Sequence, residues 1–174
     1  MTLVLDMNMW KDSLGADEFV KPILSVIGVC EVRHYLEEFD TAPYDRVILS
    51  GTPLKDDEYL NHPDAFKWLK KYDKPVLGIC AGMQAMAAAY GAKVEKCQEI
   101  GMAEIRTLVD NPLFSGTFKA YELHNYAVKS TKKFITLAES NKCTQAIKHP
   151  KKPQYGILFH PEARNIDVME AFIR

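Results

Sequence analysis

Pro75-Val76-Leu77-Gly78-Ile79-Cys80-Ala81-Gly82-Met83-Gln84 decides the reading of this 174-residue chain. Val76–Ile79 is a short apolar run behind a proline, the pattern of a buried strand. Residues 81–90 are rich in Ala, Met and Gln, which favour helix, and Gly91 stands where a helix C-terminus places glycine. Between them, Gly78-x-Cys80-x-Gly82 has the spacing of a nucleophile elbow with cysteine in the serine's place. A turn this sharp strains its central residue. Side chains two positions to either side would collide, so glycine is needed at both. The central residue then sits at a helix N-terminus, where the positive end of the dipole favours thiolate over thiol. Taken alone, the motif has a competing reading: a buried structural cysteine in an ordinary strand-to-helix turn.

Outward from the elbow, residues 2–5 and 45–50 read as buried strands and residues 29–35 as a half-buried one. The second of these runs into Gly51-Thr52-Pro53. Residues 14–27 carry apolar side chains at helical spacing, interrupted by Pro22. Residues 57–71 predict a helix, with Asp56-Asp57-Glu58 complementing its dipole. Strands alternating with helices through residue 90 predict βαβ units and a parallel sheet packed on both faces. After Gly91 the texture changes to short strands at residue 94 and over 100–109, 117–123, 134–137, 144–148 and 155–159. Turn signals such as Asp110-Asn111-Pro112 and Ser115-Gly116 separate them, and residues 168–174 close the chain as a helix. No repeat or linker divides the sequence, so residues 1–174 read as one domain.

Composition narrows the function classes. Hydrophobic content of 47% and charged content of 26% are those of a soluble globular protein. A net charge of −1 gives no electrostatic reason to expect nucleic acid or a membrane surface. No apolar run reaches membrane-spanning length, and a cytoplasmic location is expected. Cys30, Cys97 and Cys143 read as ordinary reduced cysteines, and no Cys/His spacing in the chain is that of a zinc motif, so neither metal nor cofactor is expected. The pairs Lys132-Lys133 and Lys151-Lys152 read as solvated turns.

A cysteine nucleophile needs a base, and the base needs a group that holds its tautomer. Of five histidines, His160 has the supporting context. Tyr155-Gly156-Ile157-Leu158-Phe159 is a compact apolar strand running into His160-Pro161-Glu162. In an extended segment residues i and i+2 point the same way, so Glu162 can orient the His160 ring. His124 lies mid-segment with no carboxylate at i+2, which favours substrate positioning or an interface between subunits over the role of base. His34, His62 and His149 read as surface or packing residues.

These two stretches together resemble the class I glutamine amidotransferases. The family's elbow, G-[IV]-C-x-G-x-Q, is matched throughout by Gly78-Ile79-Cys80-Ala81-Gly82-Met83-Gln84, and its Y-G-x-x-F-H-P-E signature by Tyr155 to Glu162. The resemblance covers about residues 46–172. It implies a flavodoxin-like, mostly parallel central sheet with helices on both faces and a small additional β layer. It further implies that Cys80 attacks the side-chain amide of L-glutamine to give a γ-glutamyl thioester and ammonia, with His160 as proton shuttle and Glu162 behind it. Backbone amides at Ala81, Gly51 and Thr52 would hold the oxyanion. Gln84 and the loop Glu122-Leu123-His124-Asn125-Tyr126-Ala127-Val128, with Asn125 and Tyr126, would grip the substrate.

The family's oxyanion loop usually reads G-G-P, whereas Thr52 replaces the second glycine here. Its N–H remains, but its β-branch restricts the backbone. A loop that must flip into a glycine-only conformation would leave activity low or conditional. Nothing in the 174 residues activates an ammonia acceptor, so the resemblance implies a separate synthetase chain, nearest to that of two-chain GMP synthetases. Two other readings stand beside it: γ-glutamyl peptide hydrolysis without a partner, and a non-catalytic regulatory or binding protein on the same scaffold.

Overall fold

A computed structural model describes residues 1–129 and 133–174. Strand β1 (Thr2–Asp6) is followed by helices α1 (Leu14–Phe19) and α2 (Lys21–Ile27), then β2 (Cys30–His34) and β3 (Arg46–Leu49). Two 3-10 helices, Glu58–Asn61 and Pro63–Lys70, lead to β4 (Val76–Ile79) and α3 (Ala81–Ala89). Strands β5 (Val94–Thr107), β6 (Thr117–Val128), β7 (Ile135–Glu139), β8 (Thr144–Lys148) and β9 (Gln154–Ile157) precede α4 (Ile166–Ile173).

All these strands form one sheet in the order β2-β1-β3-β4-β9-β8-β7-β5-β6. The first five are parallel, in the 2-1-3-4-5 order of flavodoxin-like doubly wound folds. The rest are antiparallel, and the additional β part continues the same sheet through the β8–β9 pairing. The apolar residues of β1, β3 and β4 are buried on both faces, as a sheet covered by helices on both sides demands. Among the described residues no helix is long and apolar enough to cross a membrane.

Local chemistry explains where the elements depart from expectation. The segment 14–27 is two helices because the chain breaks at Val20, with Pro22 in the first turn of α2, where its missing N–H costs nothing. The segment 57–71 is not α-helical. Pro63 disfavours helical geometry at His62 (φ −120°, ψ 50°), and two short 3-10 helices result. Asp56 takes a different role from a dipole partner: its Oδ2 accepts the Met9 amide at 2.6 Å. The expected strands at 94 and 100–109 are one long β5, bulged between Lys96 and Glu99. Of the lysine pairs, Lys132 lies outside the described residues. Lys133 Nζ donates to the Tyr90 carbonyl at 2.5 Å, and Lys152 Nζ to the Lys70 carbonyl at 2.7 Å, so these two cross-link segments rather than simply meeting solvent.

Candidate active site

Cys80 has φ 47° and ψ −100°, a left-handed conformation that an L side chain rarely adopts. It is held there from both sides. Its amide donates to the Ile157 carbonyl of β9 at 2.8 Å, and its own carbonyl accepts the Gln84 amide in the first turn of α3. The glycines allow this geometry through space. A Cβ on Gly78 would lie 2.6 Å from the Gly82 carbonyl, and one on Gly82 would lie 2.5 Å from the Leu49 oxygen. Because α3 is buried along nearly its whole length, the elbow is pressed against β3 and β4.

The parallel register Ile79↔Ile157 places the ends of β4 and β9 side by side, which carries His160 to a sulfur far away in sequence. His160 Nδ1 meets Glu162 Oε1 at 2.7 Å, fixing the ring so that Nε2 points away from the carboxylate. The ring is 1% exposed and packs against Phe19 at 5.4 Å between centroids. Gly51 lies directly beneath it, and a Cβ there would come within 2.7 Å of His160 Cε1. Burial opposes protonation of this ring. The Cys80 sulfur by charge, and the Glu162 carboxylate by charge and its hydrogen bond, outweigh it and raise the pKa well above the ordinary histidine value.

Cys80 opens on a narrow cleft, with a free volume of only about 10 Å³, lined by Thr52, Tyr59, Gln84, Leu123, Asn125 and Tyr126, among others. Cys80 Sγ lies 3.7 Å from the Leu123 carbonyl. Gln84 accepts from the Tyr59 hydroxyl at 2.7 Å and donates to the Tyr126 carbonyl at 2.9 Å. Asn125 Nδ2 donates to the Leu54 carbonyl at 2.7 Å, tying β6 to the loop after Thr52. Gly51 and Ala81 are buried beside the sulfur's elements. The stretch 122–128 is the second half of β6 rather than a loop, because it pairs with β5 out to Val94↔Val128.

Thr52 is buried, its hydroxyl donating to the Asp56 carbonyl at 2.8 Å, and its backbone φ is not in the positive region. The loop therefore rests in a conformation compatible with its β-branched residue. His124 is 2% exposed within this single chain, so packing against its own strands, not an interface between subunits, surrounds it. It lacks a carboxylate at i+2 but has Glu122 at i−2 and Glu99 across the strand pair. Sequence reasoning missed Tyr59, which read as helix filling. Its isolated phenol among acidic residues carried no local signal, since its partner Gln84 lies 25 positions away. Asp57, read as a helix-start acid, instead lines the cavity and hydrogen-bonds the Tyr126 side chain, pushing that phenol up.

Known proteins sharpen this picture. The family profile of glutamine amidotransferase class-I matches residues 24–170. The chain is similar to the glutamine-hydrolyzing GMP synthase subunit of Methanosarcina barkeri, 35% identical over 137 residues covering 74% of this chain and 70% of the relative. The protein of the same name from Pyrococcus abyssi is 33% identical over 149 residues, covering 80% and 77%. Anthranilate synthase component 2 of Saccharolobus solfataricus is 29% identical over an alignment of 188 positions, gaps included, covering 94% of this chain and 90% of the relative. The crystal structure of a Thermoplasma acidophilum protein assigned as a GMP synthase subunit superposes with a TM-score of 0.81 at 24% identity, over 99% of this chain and 92% of that one. With the profile spanning most of the sequence and relatives above 30% identity over three quarters of it, the chain belongs to the class I glutamine amidotransferase family and is an enzyme of that kind.

Proposed function

We propose that this enzyme hydrolyses L-glutamine through a Cys80 γ-glutamyl thioester and passes the ammonia to a separate synthetase chain of the GMP synthetase type. The observation that carries the reading is the left-handed Cys80 at the N-terminus of α3, in one buried site with the His160–Glu162 pair. The Cys80 proton goes to His160 Nε2, and the thiolate attacks the amide carbon of glutamine. Backbone N–H groups of Ala81 and of the Gly51-Thr52 loop take the developing oxyanion. On collapse the C–N bond breaks, and His160 gives its proton to the leaving nitrogen, which departs as ammonia. His160 then takes a proton from water, the hydroxide adds to the thioester, and glutamate leaves as the Cys80–carbon bond breaks. The GMP synthase relatives favour a synthetase partner over free-standing γ-glutamyl peptide hydrolysis, and a cytoplasmic setting suits the free cysteines.

A diazo-ketone analogue of glutamine tests this directly. Intact mass should rise by one adduct, mapped to Cys80 and blocked by excess glutamine. An adduct on another residue, or protection by a γ-glutamyl peptide but not by glutamine, would overturn the assignment.

Thr52 bears on conditional activity. If its β-branch holds back an oxyanion-loop flip, Thr52→Gly should label about 10-fold or more faster than the parent in the absence of a partner, by one restored donor. Equal labelling rates would remove Thr52 as the brake.

The raised His160 predicts a titration with a definite sign. Its folded pKa lies above the unfolded value, so the stabilisation from the ring's charge is complete at low pH and is lost as pH rises through the raised value. In ring-proton spectra followed against pH, the midpoint should fall in Cys80→Ala and in Glu162→Gln, since each removes one of the raising charges. A midpoint unmoved in both variants would contradict the charge coupling.

A further inference from the structure

A second group of chemistry-bearing side chains sits beside the Cys80 cavity, assembled from distant positions. Glu99 follows the bulge of β5, Glu122 and His124 lie two apart on β6, and Cys143 is in the turn between β7 and β8. Glu99 and His124 are cross-strand partners. His124 Nδ1 lies 2.9 Å from the Cys97 carbonyl, to which only an N–H can donate, so in the neutral ring the lone pair is on Nε2. That nitrogen is 3.2 Å from Glu122 Oε2 and 3.5 Å from Glu99 Oε2. Cys143 Sγ is 3.1 Å from the same Glu99 oxygen.

Glu122 is 0% exposed, and neither of its oxygens has a hydrogen-bond partner of good geometry among the described residues; the same is true of His124 Nε2. Burying carboxylates against an imidazole lone pair costs several kcal/mol per ion unless a cation or a proton meets them, and burial itself pushes the Glu122 carboxyl up. We propose that this cluster is a binding site for a divalent transition-metal ion of the Zn²⁺ class, with Glu99, His124 and Cys143 as donors and the Glu122 carboxylate beside His124 Nε2. Tetrahedral Zn²⁺, with bonds of about 2.0–2.3 Å, sets its donor atoms roughly 3.2–3.7 Å apart. The 3.1 and 3.5 Å separations of Cys143 Sγ and His124 Nε2 from Glu99 Oε2 are close to that spacing, and all three donor atoms lie within 4.8 Å of one another. Thiolate and imidazole donors select such a metal over Mg²⁺ or Ca²⁺. Binding forms the metal–sulfur bond and releases the Cys143 proton to solvent.

The supporting shell is in place. Gln145 Nε2 donates to Glu99 Oε2 at 2.8 Å and Ser140 Oγ to both Glu99 oxygens at 3.0 Å, while the Cys97 carbonyl orients His124. A surface pocket lined by Cys97, Lys142, Cys143 and Thr144 provides an approach. His124 also lines the Cys80 cavity, and Leu123 beside it presents its carbonyl to Cys80 Sγ. The metal thus clamps β6 where that strand forms the cavity wall. This inference does not rest on the glutaminase reading.

The test uses the 174-residue chain with Cys80→Ala, which removes the other thiol–imidazole pair as a metal site. Reduced, chelator-stripped protein is titrated with Co²⁺ alone. One equivalent should produce visible d–d absorption and a thiolate-to-cobalt charge-transfer band, both bleached by Zn²⁺. Adding Cys143→Ser, with the fold checked by circular dichroism, should abolish the charge-transfer band and weaken Co²⁺ binding by more than about 100-fold. Zn²⁺ should raise the Tm of the first protein and not of the second. No charge-transfer band, or a band unchanged by Cys143→Ser, would overturn the site and leave His124 as a buried structural neighbour of Glu99 and Glu122.

Discussion

Replacing Cys80 with alanine is expected to lower glutamine hydrolysis by on the order of 10⁶-fold in kcat, the loss typical of a nucleophile that acts as one unit with its base. The side chain removed is a single sulfur at the end of β4, 4% exposed, so the fold should hold, with stability within about 1 kcal/mol of the parent. What disappears is the atom that the elbow strain, the α3 N-terminus and His160 are all arranged around. Glu162→Gln should fall between the extremes, near 10³–10⁴-fold, because it leaves the packing intact while surrendering the charge that holds the His160 tautomer. Assays with glutamine in the presence of the synthetase partner, followed by released glutamate, check both. A Cys80→Ala enzyme turning over within about 10-fold of the parent would place the nucleophile elsewhere.

The elbow glycines carry the largest expected stability effect. Gly78→Ala would press a methyl to 2.6 Å from the Gly82 carbonyl and 2.7 Å from the Met83 amide, and Gly82→Ala to 2.5 Å from the Leu49 oxygen. All of these neighbours are backbone atoms of α3 and β3, which have no rotamer to yield. Each substitution should cost about 3 kcal/mol, the upper end of overpacking, and lower Tm by about 6–12 °C. Gly116→Ala is the comparison: it meets nothing within 4 Å and bears only the strain of φ +66°, about 1–2 kcal/mol. Melting curves of the three variants decide the matter. A Gly82→Ala protein melting no lower than Gly116→Ala would mean that α3 can lift from β3.

The parallel half of the fold was legible because its elements are locally written. Short apolar runs bounded by glycine and proline became β1, β3 and β4, and Ala- and Met-rich residues became α3. Errors fell where a neighbour overrides propensity. Pro63 turned an expected helix into two 3-10 segments, and the long ladder with β6 carried β5 through a bulge that looked like an interruption. Tyr59 escaped notice for the same reason as the ladder: its importance lies in a hydroxyl reaching Gln84, and no short-range spacing encodes that.

By itself, the sequence determined the two halves of the candidate chemistry. A strained Gly-x-Cys-x-Gly turn and a His-Pro-Glu strand exit depend on residues one or two apart, and rules of periodicity and backbone sterics act at that range. Tertiary structure alone decided how distant pieces meet. The β4–β9 register brings His160 to Cys80, and Gly51 makes room beneath the imidazole. The β5–β6 ladder and the β7–β8 turn gather Glu99, His124 and Cys143 from well-separated parts of the chain, a grouping no linear spacing announces. Strand pairing is a choice among many long-range alternatives with similar local propensities. Burial of the whole sheet selects among them, and only that selection sets which polar groups end up sharing a buried centre.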